Sequence, residues 1–368
     1  MVKYKSLCVL FIRAYELRVA WIPGKRAIDK QSNFLFSPTS LRAGLALLAA
    51  GTRGETLRQL LTFLGSEDTH QLDADIASLL AGLTTWPQLT FAAGVFVDRT
   101  LHLAPEFESS AVTSHRAVTR SVDFRNRPAE ARAKATWARK FDPSDTFPHE
   151  FLRRDGRAVR VPFLSDAGMH YAESFDAPGM EFKVLQCFYK MVGRDGRLDH
   201  RAPCFCMLVF LPHAHDGLAG LLRLAVTEPD FVMRCAPRRE QLVSPCIVPK
   251  FRFSFRFDVK DALRRLGLSA PFDRAGGADL SGMVSDMPPD KGLYVSAMGQ
   301  ECAVEVDQEG TVAAASTYSP VVSPTCPSQE PPPPPMSFVA DHPFMFAIVE
   351  YEKAEVLFLG HVMDPSMM

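Results

Sequence analysis

The chain lacks an excess of charge of either sign. Its 368 residues carry 41 Lys and Arg against 42 Asp and Glu, for a net charge of −1. That balance removes the bulk electrostatic reason to expect nucleic acid or an anionic membrane as partner. Basic pairs such as Arg153-Arg154 and Arg238-Arg239 run at once into Asp155 and Glu240, which reads as solvated edge rather than binding patch. Long apolar runs are missing as well. No stretch approaches the roughly 20 residues of a membrane span. The apolar run at residues 7–12 stops at Arg13, is short for a signal-peptide core, and is followed by no small-x-small cleavage site.

Paired-cysteine motifs are absent. The eight cysteines, Cys8, Cys187, Cys204, Cys206, Cys235, Cys246, Cys302 and Cys326, contain no CxxC. Cys204 and Cys206 sit two apart in an apolar run, so on a strand they share a face and cannot close a relaxed disulfide with each other. Such thiols act as small hydrophobes, and their scatter favours a reducing compartment. Cytoplasm is the expected location, with an extracellular one as the alternative. Catalytic signatures are missing too: there is no GxSxG elbow, P-loop, GxGxxG fingerprint or HExxH helix. His213 and His215 flank Ala214 and could share a metal, but no third ligand accompanies them, so a turn is the simpler reading. Asp341-His342 before Pro343 suits capping or packing better than an acid–base pair. Neither an enzyme nor a metal site is expected. Nothing marks a linker or an internal repeat, and 47% hydrophobic content can bury a large core.

What is present begins with helices and ends with strands. Periodicity suggests helices at residues 9–22, 38–50, 55–64, 72–83, 105–114, 128–136, 217–224 and 259–266. Ser37-Pro38 marks a helix start, with Ser37 as cap and Pro38 in the first turn. Strands are expected at 34–36, 89–97, 118–124, 159–163, 170–174, 182–189, 204–211, 241–248 and 251–257, with a buried hairpin at 344–350 and 356–362. The chain is organised around residues 301–338. Cys302, Val304 and Val306 alternate with Glu301, Ala303, Glu305 and Asp307, the pattern of a half-exposed strand. A glycine, a run of small residues and a long proline-rich segment follow. Loops of that length inside a compact domain are functional or disordered.

Several motifs then resemble the serpin family, in chain order and over nearly the whole length. Asn33-Phe34-Leu35-Phe36-Ser37-Pro38-Thr39-Ser40 is similar to the family's opening of helix B. Glu309-Gly310-Thr311-Val312-Ala313-Ala314-Ala315 resembles the hinge of its reactive-centre loop. Phe338-Val339-Ala340-Asp341-His342-Pro343-Phe344 and Phe358-Leu359-Gly360-His361-Val362-Met363-Asp364-Pro365 resemble its two C-terminal signatures, in plant-type wording. Lys140-Phe141-Asp142-Pro143-Ser144-Asp145-Thr146 is plant-like as well.

The resemblance implies an α+β serpin fold, one domain over residues 1–368, with a large central sheet A, sheets B and C, about eight helices and an exposed reactive-centre loop at 310–340. It implies a serine protease inhibitor without cofactors, a monomer acting as a suicide substrate on serine or, alternatively, cysteine proteases. The protease cuts the loop and is acylated; the cut loop enters the central sheet as a new strand and distorts the protease. Glu309, Gly310, Thr311, Ala313, Ala314 and Ala315 form the hinge by this resemblance. A segment that enters a packed sheet should be small and uncharged, and Gly310 lets the chain turn. Counted from that glycine, the reactive bond is Pro324-Thr325.

Three features depart from the family pattern. Pro324 stands where plant relatives commonly carry a basic residue, and proline fixes φ and cannot fill a trypsin-like pocket. Counting back from Phe338 selects Glu330-Pro331 instead. Residues 331–335, all proline, should form a stiff polyproline II rod, either a tolerated loop expansion or a ligand for an SH3-like partner. Second, only residues 125–136 lie between Phe124 and Trp137, where the family carries helix F, a loop and strand 3 of the central sheet; an omitted exon would produce the same gap. That loss leaves apolar surface and unpaired strand edges. Third, Ser37 and Ser40 match the serines of a buried polar cluster, but Gln300 aligns with its histidine and the asparagine lies in the missing segment. Unsatisfied buried polar groups are expected there. The alternative reading is therefore a non-inhibitory serpin, a binding or scaffold protein or a poorly stable product.

Overall fold

The computed structural model describes residues 17–84, 93–98, 101–115, 117–122, 141–177, 179–191, 197–199, 202–228, 230–275, 277–285, 293–308 and 334–367. Its helices are α1 (Trp21–Asp29), α2 (Pro38–Ala50), α3 (Gly54–Leu64), α4 (Thr69–Thr84), α5 (Pro105–Thr113), α6 (Leu218–Thr227), α7 (Phe231–Arg234) and α8 (Lys260–Arg265). Its strands are β1 (Phe34–Phe36), β2 (Ala93–Asp98), β3 (Ala117–Val122), β4 (Phe147–Leu152), β5 (Ala158–Ala177), β6 (Met180–Phe188), β7 (Phe205–Pro212), β8 (Glu240–Pro249), β9 (Phe251–Asp258), β10 (Gly299–Val306), β11 (Met336–Val339), β12 (Phe344–Glu350) and β13 (Glu355–Val362). The α+β class agrees with the resemblance, and the described residues hold the eight helices named here.

Local chemistry accounts for most boundaries. The Ser37 side chain accepts from the Ser40 N–H at 3.2 Å and caps α2, with Pro38 in the first turn. Gly65 ends α3 in the left-handed region, at φ 61°. α1 was not anticipated as a separate helix. Of the helix expected at 9–22, residues 17–19 are helical, residues 9–16 lie outside the described residues, and α1 follows after a turn at Ala20. Pro-Gly usually breaks a helix. Here Pro23 sits in the first turn, where its missing N–H costs nothing. Gly24 has no Cβ because one would stand 2.8 Å from Leu222 of α6.

Nine strands form one sheet, in the order β1-β13-β12-β7-β6-β5-β8-β11, with β4 paired to β5. The sheets expected separately as B and C run together because β5 is one 20-residue strand. Its start pairs with β4, its middle with β8 and its end with β6. The sequence pattern suggested two strands there; the ladder to β8 passes between them through a bulge at Asp166/Gly168. β4 was not anticipated, since Pro148 argues against a strand. It pairs with β5 alone, and an edge strand tolerates proline. β12 is buried along its whole length between β7 and β13.

Among the described residues the strands of the central sheet form two two-stranded ribbons, β2–β3 and β9–β10. β10 pairs antiparallel with β9 from Gly299↔Asp258 to Val306↔Phe251 without a register shift. Gln300, Cys302, Val304 and Val306 are buried. On the opposite face Arg252 lies 3.6 Å from Glu305 and Arg256 lies 3.8 Å from Glu301. Ion pairs therefore solvate the outer side of this ribbon. The expected helix at 128–136 falls outside the described residues.

Candidate functional site

The site is built on β10, the strand that leads into the proposed loop hinge. Its alternation buries one face against the core and leaves the other charged, so its direction and register are fixed before the hinge begins. Gln308 closes the strand. Its carbonyl accepts from the Phe141 N–H at 3.1 Å, and its side-chain oxygen accepts from the Lys250 ammonium. The neutral amide still meets a cation, through a hydrogen bond rather than an ion pair. Among the described residues β9 is the only strand beside β10.

The polar cluster under the sheet closes in an unexpected way. Gln300 Oε1 accepts from the Ser37 N–H at 3.0 Å, and Gln300 Nε2 donates to the Ser37 carbonyl at 2.8 Å. One primary amide thus pairs with both backbone groups of one residue, accepting from its N–H and donating to its carbonyl. The expectation of unsatisfied groups at Ser37 and Gln300 is corrected by this pairing. Ser40 takes part only through its backbone N–H, as the capped position of α2. The pair ties β10 to the junction of β1 and α2. Two residues along β10, burial pushes the Cys302 thiol up to about 12, which leaves it protonated and inert.

The C-terminal side is anchored as firmly. Residues 336–339, counted above within a loop of 310–340, form β11 and pair parallel with β8, with Phe338 buried opposite Cys246. The loop therefore ends before Met336. Asp341 and His342 do interact, contrary to the sequence argument: His342 Nδ1 lies 2.7 Å from Asp341 Oδ1, and Nε2 lies 2.7 Å from the Pro212 carbonyl. Burial works to raise the Asp341 carboxyl, but the hydrogen bond and charge of His342, its own backbone N–H and the charge of His215 together outweigh it and hold the group below the usual range. The His215 ring lies on His342 at 4.4 Å, while His213 turns to Glu181 at 3.3 Å. The two histidines of the LPHAHDG turn thus have separate partners.

Sequence reasoning gave Asn33 no role. Its Oδ1 accepts from the N–H groups of Met363 and Asp364 at 2.8 and 3.0 Å, and its Nδ2 donates to the Asp364 carbonyl at 2.8 Å. Arg153 donates to the Asp364 carboxylate at 3.0 Å. This network joins β1 to the end of the chain across 331 residues of sequence, which no local pattern could reveal. Glu309, Gly310, Thr311, Ala313, Ala314, Ala315, Pro324 and Thr325 lie outside the described residues.

Comparison with known proteins agrees with this architecture. Residues 24–134 and 131–365 match the family described as Serpin (serine protease inhibitor). A rice (Oryza sativa subsp. japonica) protein named as a non-inhibitory serpin, serpin-10, is 59% identical over 391 residues, covering 96% of this chain and 99% of its own length. Barley (Hordeum vulgare) Serpin-Z7 is 35% identical and covers 96% of this chain and 95% of itself. Among solved structures, Arabidopsis AtSerpin1 in its native stressed conformation superposes with a TM-score of 0.78 at 29% identity, covering 97% of this chain and 98% of that one. The chain belongs to the serpin family, among the plant-type serpins.

Proposed function

We propose that this serpin is cut by proteases without trapping them. One observation carries the reading: β10 has no strand beside it except β9 among the described residues, so the sheet that should close around an inserted loop is two unconnected ribbons. The truncation of helix F and strand 3 between Phe124 and Trp137 explains this. Two sequence facts support it. The family match breaks into two segments that meet at residues 131–134. The alignment with rice serpin-10 runs over 391 residues, more than the 368 of this chain, so that relative carries residues with no counterpart here.

On this reading the chain is one domain, residues 1–368, with its reactive-centre loop starting at 310. Glu309, Gly310, Thr311, Ala313, Ala314 and Ala315 act as hinge, and Pro324-Thr325 is the reactive bond. Ser37, Ser40 and Gln300 close the base of the sheet. The partners are serine or cysteine proteases that meet the loop as substrate. No helix of the described residues is long and apolar enough to cross a membrane. Thiols at Cys187, Cys204, Cys206, Cys235, Cys246 and Cys302 support a reducing, cytoplasmic setting.

Stoichiometric incubation with trypsin-, chymotrypsin- and elastase-like proteases tests the proposal. Loop cleavage with full recovery of protease activity is expected. An SDS-stable covalent complex would overturn it.

A further inference from the structure

Leu17, the first described residue, stands in the wall of an open notch. Pro38 at the start of α2, Val232 and Met233 of α7, and Val356 of β13 give the notch its apolar lining. Its volume is about 480 Å³ with the open mouth included, room for a few side chains but not for a folded partner. Three carboxylates share the lining. Glu228 is held by Arg234, Asp230 is exposed on the rim, and Glu355 is buried.

Backbone strain is concentrated at the same place. Three non-glycine residues have positive φ among the described residues, and two of them, Asp230 at 55° and Ala354 at 53°, line this notch. Residues held in that region persist where their surroundings over-determine them, and they cluster at ligand clamps and switch regions.

The stretch before Leu17 matches this lining in kind. Residues 1–16 carry Lys3, Lys5 and Arg13 against one carboxylate, Glu16, and hold the apolar run at 7–12. Residues 17–19 are helical, and the positions one and two helical turns before Leu17 on its own side are Arg13 and Leu10. Four residues of helix rise about 6 Å, which puts the Arg13 side chain within reach of carboxylates that line the notch with Leu17. We propose that residues 1–16 lie back over the notch as a strap. Arg13 pairs with Asp230 and Glu355, and Leu10 covers Met233 and Val356. The strap brings cations to carboxylates and apolar side chains to an apolar floor. It ties the start of the chain to α7 and to the turn between β12 and β13.

Trypsin cutting of the full chain after Arg13, followed by mass spectrometry, reads the strap. Each rate is divided by that of the free peptide of residues 1–20. The parent should be cut about tenfold more slowly than the double variant Asp230→Asn, Glu355→Gln, the effect of one charge-assisted bond. Asparagine tolerates the left-handed backbone at position 230. In the Arg13→Lys variant, which needs neither of those changes, carbodiimide should form an amide between position 13 and Asp230 or Glu355 of the same chain. Equal rates in parent and double variant, an amide from position 13 to any other carboxylate, or an amide joining two chains would each overturn the proposal.

Discussion

Asn33→Ala is expected to lower unfolding stability by about 3–5 kcal/mol, because two buried N–H groups and one carbonyl lose their partner together. Asn33 is buried, and its amide saturates the backbone of Met363 and Asp364. No water can replace those bonds without opening the seam between β1 and the chain end. Domains of this kind hold a total of roughly 5–15 kcal/mol, so the variant should melt far below the parent. Asn33→Asp keeps the acceptor but turns a buried carboxylate oxygen onto the Asp364 carbonyl, so it should not recover the loss near neutral pH. Urea titration of the three proteins measures this, and a loss under about 1 kcal/mol for alanine would contradict the assigned network. Asp364 adds a pH dependence. Burial works to raise its carboxyl, but bonds from Ser366 and Arg153 outweigh that and hold it low. A depressed carboxyl contributes stability above its unfolded value, and that contribution is lost as pH falls through the folded one. The seam should weaken only in acid.

Gln300→Ala is expected to cost about 2 kcal/mol. The Ser37 carbonyl keeps its bond from the Leu41 N–H, but the Ser37 N–H is left buried and alone. Gln300→His, the residue type the family pattern implies, should recover only part. An imidazole nitrogen either donates or accepts in a given tautomer and cannot serve both the N–H and the carbonyl of one residue as the amide does. Gln300→Glu should be worse than alanine near neutral pH, since a carboxylate would face the Ser37 carbonyl. Equal stability of the glutamine and histidine forms would show that the amide pairing is dispensable.

Much of this was legible in the sequence, for physical reasons. Ser37-Pro38 fixed the start of α2, Gly65 the end of α3, and the alternation in β10 the face it buries. The serpin motifs then supplied the order of the elements. What escaped notice depends on contacts distant in sequence. β4 contains a proline that only an edge position excuses. β11 is four residues long and gains its identity from pairing with β8. The Gln300–Ser37 pairing replaces a cluster judged incomplete, because an amide satisfies the N–H and the carbonyl of one residue without the missing partners. Adjacent Asp341 and His342 looked badly placed for each other, yet the turn before β12 brings them to 2.7 Å.

The measurement that tests the central claim most directly is the melting temperature before and after cleavage of the loop. A serpin with an intact central sheet gains a strand when the cut loop inserts, and that added burial and pairing raises thermal stability. Among the described residues β10 has β9 alone beside it. An unchanged melting temperature after complete cleavage is the predicted result. A large rise would show that the loop still finds a closed sheet to enter, and would contradict the account.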